Sequence, residues 1–369
     1  MKLKSNLSIL VAIVVLVAIL SVVAGCASQP APQAPATTTP QAPAATQAPK
    51  ILKWAYNMPK AGAIVRGWEW FASELEKQTG GKYKIDFYPS ASLIKESEQL
   101  EAIVNGVTEI SNCGINSHQQ QFTVSTVVSL PSTHFPDTKE GHAAALDAVK
   151  QMQAKFPVMM NEFKNYRLMT WNTLPANMIV SKNTKIVVPD DLKGVKLASQ
   201  GNDKDLVQAA GGVAVSMPPA EVYQSMDKGV IEAATVSWIH LTSNHYEEIA
   251  QYYLDITLGN DCQTSIMSPK AWDSLPADVQ KIITNLIPET MARSDAAYMT
   301  QMIAGRKLAT DKNRTITKPA EDQIKLWENL AQSIDTNWLN KVKAKNISEG
   351  PEILSFLKQR SAEAWSKNK

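Results

Sequence analysis

Cysteine is scarce in this chain, with three residues in 369, at positions 26, 113 and 262. No two of them form a CxxC pair, and no HExxH occurs. The five histidines offer no ligand spacing either. His240 and His245 stand five apart, which puts them on different faces of a helix, so they read as solvated or core residues. A metal centre is therefore not expected. Excess charge of one sign is also missing. The 37 basic and 35 acidic side chains leave a net charge of +2, and no basic run or stripe stands out. That argues against a nucleic-acid partner. GxSxG and P-loop motifs are absent, and no nucleophile–base pair is legible. The expectation is a protein that is not an enzyme and carries no cofactor.

One long apolar run is present, at the N-terminus. Lys2 and Lys4 precede Leu7 to Val23, and Val23-Ala24-Gly25-Cys26 closes the segment. A charged start, an apolar stretch and small residues before a cysteine read as a lipoprotein signal peptide over residues 1–26, with Cys26 as the lipidated residue. Several acyl chains on one residue hold a protein firmly at a membrane, where a single chain binds marginally. Residues 27–50 are Pro, Ala, Thr and Gln with no charge before Lys50. They cannot bury a core and read as an extended tether. The expected location is extracytoplasmic and lipid-anchored. Such a compartment permits a disulfide, and whether Cys113 and Cys262 meet is left open by the sequence.

From Ile51 onward the pattern alternates. Leu52, Trp54 and Tyr56 form one strand and Tyr83, Ile85 and Phe87 another, with a helix between them closed at Gly80-Gly81. A third strand candidate ends at Cys113. The stretch Val187 to Trp238 repeats the scheme, with strand candidates over residues 195–198, 213–217 and just before Trp238. Pro218-Pro219 opens one of its helices and Gly229 closes it. Alternation of this kind predicts α/β architecture with mostly parallel sheets. A helix is expected over residues 139–165, and another from Pro276 to about Lys312. The latter is ~55 Å long at 1.5 Å per residue, kinked or divided at Pro288. Two amphipathic helices follow, around residues 323–341 and 352–365. With nine tryptophans in the chain, two or three are expected to wall an apolar cleft.

Four ordered signatures carry a resemblance. DFYPSASLIKESEQLEAIVNGVTEI is similar to a family segment of the form YP-x-x-x-LG-x-x-x-E…G-x-x-D. PDDLKGVKLASQG is similar to P-x-DLKG-x-K-I-R, and GGVAVSMPPAEVYQSMDKGVIEAA to a segment built on EVY and G-x-x-DG. SPKAWDSLPADVQKII is the fourth. The chain resembles the DctP-like (dicarboxylate-type) solute-binding proteins of TRAP transporters over about residues 51–315. The resemblance implies a two-lobed periplasmic-binding-protein-like fold with hinge strands and a long helix crossing both lobes. Its expected division is residues 51–174 plus 264–303 for lobe I and 175–263 plus 304–369 for lobe II. It implies a monomer that closes on a small organic solute and delivers it to the membrane permease subunits of a TRAP system. A ligand-presenting sensor is the alternative, and an enzyme on the same fold a more distant one.

The resemblance also assigns candidate ligand contacts. Asn57 ends the first strand, Glu96 falls in the LG-x-x-x-E region, and Cys113 and Gly114 sit where the third strand meets the cleft. Trp171 and Trp238 are candidate aromatic walls, and Pro219 opens the helix of the third signature. Three positions depart from the family pattern. Ala198 stands where an arginine grips a ligand carboxylate, Asn177 replaces a second arginine, and Val236 replaces an asparagine. Two readings follow. Either the solute is an organic acid held by Lys182, Lys196, Arg167 or backbone N–H groups, or it is neutral, aromatic or weakly polar.

Overall fold

The computed structural model describes residues 48–367. The expected signal peptide, Cys26 and most of the expected tether lie outside the described residues. In chain order the elements are β1 (Lys50–Ala55), α1 (Ala63–Gln78), β2 (Tyr83–Tyr88), α2 (Gln99–Val104), β3 (Ile110–Gly114), α3 (Lys139–Lys155), α4 (Pro157–Asn161), β4 (Arg167–Ala176), β5 (Met178–Ser181), β6 (Lys196–Ala198) and α5 (Gly201–Ala209). Then come β7 (Val213–Val215), α6 (Pro219–Asp227), β8 (Ala233–Val236), α7 (Ile239–Asn244), β9 (Tyr252–Leu254), β10 (Asn260–Met267), α8 (Pro269–Asp273), α9 (Ala277–Asp311), β11 (Thr315–Thr317), α10 (Glu321–Ala344) and α11 (Gly350–Lys367).

The strands form two sheets, ordered β2-β1-β3-β10-β4 and β11-β9-β5-β8-β6-β7. β1 is parallel to β2 and β3, whereas β10 runs antiparallel to both β3 and β4. In the second sheet β6 is parallel to β7 and β8, and β5 is antiparallel to β8 and β9. The period-2 pattern of β1 has a direct packing consequence. Trp54 meets Trp68 of α1 at 5.1 Å between ring centroids and Phe71 at 5.8 Å, so one face of the strand seals against the helix.

α9 is one continuous helix of 35 residues. It packs on α1 and β4 beside the first sheet and on α7 and β11 beside the second, so it spans both. Of the two outcomes expected at Pro288, a kink or a division, the division does not occur. Pro288 and Thr284 both lie on the exposed face, where water can satisfy the carbonyl that the missing N–H leaves free. The helix expected over residues 139–165 does break, between α3 and α4, because Pro157 starts a new helix and disfavours helical backbone at Phe156. α7 stops at Asn244, where His245 takes a left-handed φ of 59°. α10 packs on α5 and on the turn at Pro131–Thr133, and α11 packs on α3.

Besides the passage from β10 to β11 through α9, the chain crosses between sheets at two adjacent points. Asn177 alone separates β4 from β5, and residues 255–259 lead from β9 to β10. The two crossings are tied together, since the Asn177 N–H donates to the Gly259 carbonyl (3.0 Å) and the Leu258 N–H to the Asn177 carbonyl (2.9 Å). Gly259 has φ +153°, and a Cβ there would lie 2.7 Å from the Ser129 carbonyl oxygen, so the second crossing requires glycine.

Candidate functional site

Strand direction decides which residues meet. β3 and β4 both oppose β10, so β1, β3 and β4 run the same way and finish at one edge of the first sheet. That edge carries Asn57, Gly114, Asn177 and the start of β10. In the second sheet β6, β7 and β8 finish, and β5 begins, at one edge carrying Ala198, Val215, Val236 and Met178. Asn177 belongs to both edges. Ligand sites of open α/β sheets form outside the carboxyl ends of strands, where loops and helix starts converge.

The loops beyond these edges touch. Gly201, after β6, has φ +61°, and a Cβ there would lie 2.8 Å from Asn116 Cβ in the turn after β3. Asn202 Nδ2 donates to the Thr126 carbonyl (3.0 Å), and Gln119 Nε2 to Asn202 Oδ1 (3.4 Å). Polarity in residues 116–136 thus secures a buried loop rather than marking a solvated one. Glu162 helps, its carboxylate accepting from the Val124 N–H (2.7 Å) and the Ser125 N–H (2.9 Å).

Acidic side chains gather where the edges meet. Asn177 Nδ2 donates to Asp203 Oδ2 at 2.7 Å, and Asp203 is only 4% exposed. Burial pushes the Asp203 carboxyl up to about 7, and the neighbouring Asp261 adds to the rise. Asp261, at the start of β10, is pushed up to about 6 by burial and by Glu96, against hydrogen bonds from the Cys262 N–H and the Asn116 side chain. His118 ties this corner together, with Nδ1 3.1 Å from the Gly114 carbonyl and Nε2 3.0 Å from the Glu96 carbonyl. Behind it, Asn112 Nδ2 donates to Gln263 Oε1 at 2.8 Å.

The sequence profile of bacterial extracellular solute-binding protein family 7 (DctP) matches residues 55–341. The chain belongs to this family. A solute-binding protein of Albidiferax ferrireducens is 24% identical over 276 residues, 73% of this chain and 78% of the relative. The C4-dicarboxylate-binding periplasmic protein DctP of Rhodobacter capsulatus is 23% identical over 245 residues, 66% of this chain and 72% of that one. Among solved structures, a TRAP solute-binding protein of Rhodoferax ferrireducens with copurified benzoate aligns with a TM-score of 0.76 at 18% identity, covering 87% of this chain and 100% of that one. A TRAP periplasmic solute-binding protein of Desulfovibrio salexigens in an open complex gives 0.72 at 24% identity, covering 85% and 96%. The two-sheet α/β fold is that of these two-lobed binding proteins.

Within this family 7 fold, the residues expected from the sequence divide into two groups. Asn57, Glu96, Cys113, Gly114, Asn177, Ala198, Pro219 and Val236 lie at or near the facing edges. Asn57 Oδ1 is buried there without a hydrogen-bond partner. Cys113 is buried, with Sγ 3.5 Å from His118 Nδ1, and both Cys113 and Cys262 are free thiols, so no disulfide links them. Burial raises both thiols. Pro219 is exposed, and its carbonyl accepts from the Tyr246 hydroxyl (3.2 Å). Two aromatic candidates sit elsewhere. Trp171 lies in mid-strand on β4, T-shaped on Phe163 at 6.0 Å, in the core. Trp238 stacks on Tyr253 at 5.7 Å and lies under the Arg306 guanidinium at 4.5 Å, which turns it toward α9.

The cations offered for an organic acid are also placed elsewhere. Arg167 starts β4, nine residues from the Ala176 end, and stacks on Trp272 at 3.5 Å. Lys182 Nζ lies 3.8 Å from Asp227 and is held by carbonyls of the same helix end. Lys196 is exposed at the start of β6, the end opposite Ala198. Asp203, Asp261 and Asn116 carried no sequence signal, because nothing local marks a polar side chain for such a junction. Among the described residues one group, His245, Glu247 and Glu248, brings potential metal-ligand atoms within 4.8 Å of one another. It lies toward the Ser181 end of the second sheet, and Lys312 Nζ 4.0 Å from Glu247 already supplies positive charge.

Proposed function

We propose that the protein captures a small organic solute between the facing edges of its two sheets and hands it to the membrane permease of a TRAP system. It works outside the cytoplasm, held at the membrane by lipid on Cys26, and acts as a monomer without catalysing a reaction. The proposed lobes follow residues 51–174 plus 264–303 and residues 175–263 plus 304–369, with the boundaries moved to a hinge at Asn177 and Gly259, since β4 runs to Ala176 and β10 starts at Asn260 in the first sheet. The family match across residues 55–341 carries this reading, joined to strand ends that converge on one polar junction. The Rhodobacter relative is named for C4-dicarboxylate binding and the Rhodoferax structure holds copurified benzoate, which supports a small organic solute here. Ligand contacts are proposed at Asn57, Glu96, Cys113, Gly114, Asn177, Ala198, Pro219 and Val236. Mass spectrometry of what the purified protein releases on denaturation tests the reading. One small organic solute should appear, and adding it back at about 100 times its Kd should stabilise the fold by about 2.7 kcal/mol without being consumed. Turnover of the solute, or failure to co-purify with a membrane permease, would count against it.

A further inference from the structure

A cavity of about 350 Å³ opens at the start of β4, a volume in the range of small-molecule sites. It lies ~30 Å along the strand from the Asn177 end. Strand register builds it. Arg167 pairs with Met267 at the end of β10, α8 begins two residues later, and its Trp272 meets the Arg167 guanidinium at 3.5 Å. That stacking fixes where the guanidinium lies without giving its N–H groups a hydrogen-bond acceptor. Phe163 and Tyr166 add an aromatic wall, and Phe163 is braced by Phe122, stacked at 4.7 Å between ring centroids. The charges lining the cavity are unpaired. Among the described residues Arg167 has no ion pair and no side-chain hydrogen bond, and its Nε is buried without a partner. Burial lowers the Arg167 pKa, and no acidic side chain acts to raise it. Lys164 is exposed in the same lining and is also without an ion pair. Asp273 is the acidic residue there, exposed and paired with neither cation. A partly buried guanidinium with no counter-charge is unfavourable, and an anion in the cavity would offset that cost.

We propose that this cavity is a second ligand site, separate from the junction of the two sheets, and that it takes a small aromatic carboxylate. The Arg167 guanidinium receives the carboxylate, Lys164 adds a second positive charge, and the ring of the ligand packs on Phe163 and Tyr166. A planar fork of N–H donors matches the two oxygens of a carboxylate, which a single ammonium does not. The remaining wall is aromatic, so the body of the ligand is apolar. A second carboxylate on the same molecule would face that wall and the Asp273 charge. The site uses none of the residues assigned to the junction, so it does not rest on the solute-binding reading above.

The test follows the indole N–H resonance of Trp272 by NMR in the full-length protein, assigned through its loss in Trp272→Phe. Benzoate, the neutral benzamide and inorganic phosphate are titrated separately. Because the signal is local, benzoate that binds only at the junction leaves it in place. The expected result is a saturable shift with benzoate and none with benzamide or phosphate. Arg167→Gln should weaken benzoate about 30-fold, and Lys164→Gln about threefold. Arg167→Lys keeps the charge but loses the fork, so its affinity should fall between wild type and Arg167→Gln. A Trp272 resonance that benzoate does not move overturns the proposal. So does benzamide or phosphate binding as tightly as benzoate, or an unchanged affinity in Arg167→Gln. Should Arg167→Gln fail to fold, the contrast between benzoate and benzamide on the wild-type protein decides alone.

Discussion

At Asp203 the folded chain holds a proton that the unfolded chain releases. An unfolded aspartate ionises near pH 3.9, roughly, whereas the folded one is pushed up to about 7. Between those values the folded state binds more protons, so stability is greatest below the unfolded pKa and falls as pH rises through the folded one. Asp261 and Asp295, both pushed up to about 6, act in the same direction. The ligand-free protein should therefore lose melting temperature between about pH 5 and about pH 8, and Asp203→Asn should lose less. Calorimetry at those two pH values checks this. An unchanged slope in the variant would mean that Asp203 ionises normally. Here the sequence was least informative. Asp203 reads as an ordinary polar residue of a short helix, and it is the Asn177 amide, 26 positions earlier, that meets it in the fold.

Among the elements, α9 departs most from local rules. Helix length was legible, but Pro288 suggested a kink or a break. Packing on α1, β4 and α7 holds the helix together across the proline, an example of tertiary contact overriding propensity. Since Pro288 is exposed and lacks an N–H, Pro288→Ala should restore a backbone hydrogen bond. The gain is up to about 3 kcal/mol, seen as a higher melting temperature. A lower one would show that the proline shapes a bend the packing needs. Trp238 gives the opposite lesson. Its place after β8 fits a cleft wall, but the start of α7 turns its ring onto Tyr253 and under Arg306. Arg306 is itself held by both Asp255 carboxylate oxygens, at 2.7 and 2.9 Å, which fixes the side of Trp238 on which the guanidinium lies.

At the scale of the whole, the described residues form two sheets joined at hydrogen-bonded crossings, with α9 along both. That arrangement suits rotation about Asn177 and Gly259, and closure follows only if the solute contacts the closed state better than the open one. Small-angle scattering should show a smaller radius of gyration when the released solute is added back. Tight binding with no change in radius would assign recognition to a preformed site rather than to closure.

The sequence by itself determined the strand–helix alternation and the family. Those signals are local periodicities and short signatures, readable without knowing where the chain goes. Tertiary structure alone decided what faces the junction. Strand direction brings residues near 57, 114, 177, 198, 236 and 261 to facing edges, carries Arg167 and Lys196 to the opposite ends of their strands, and leaves two carboxylates where the family pattern suggested a cation. Hydrogen bonds and charges act through space, so the character of the site emerges only once the strands have paired.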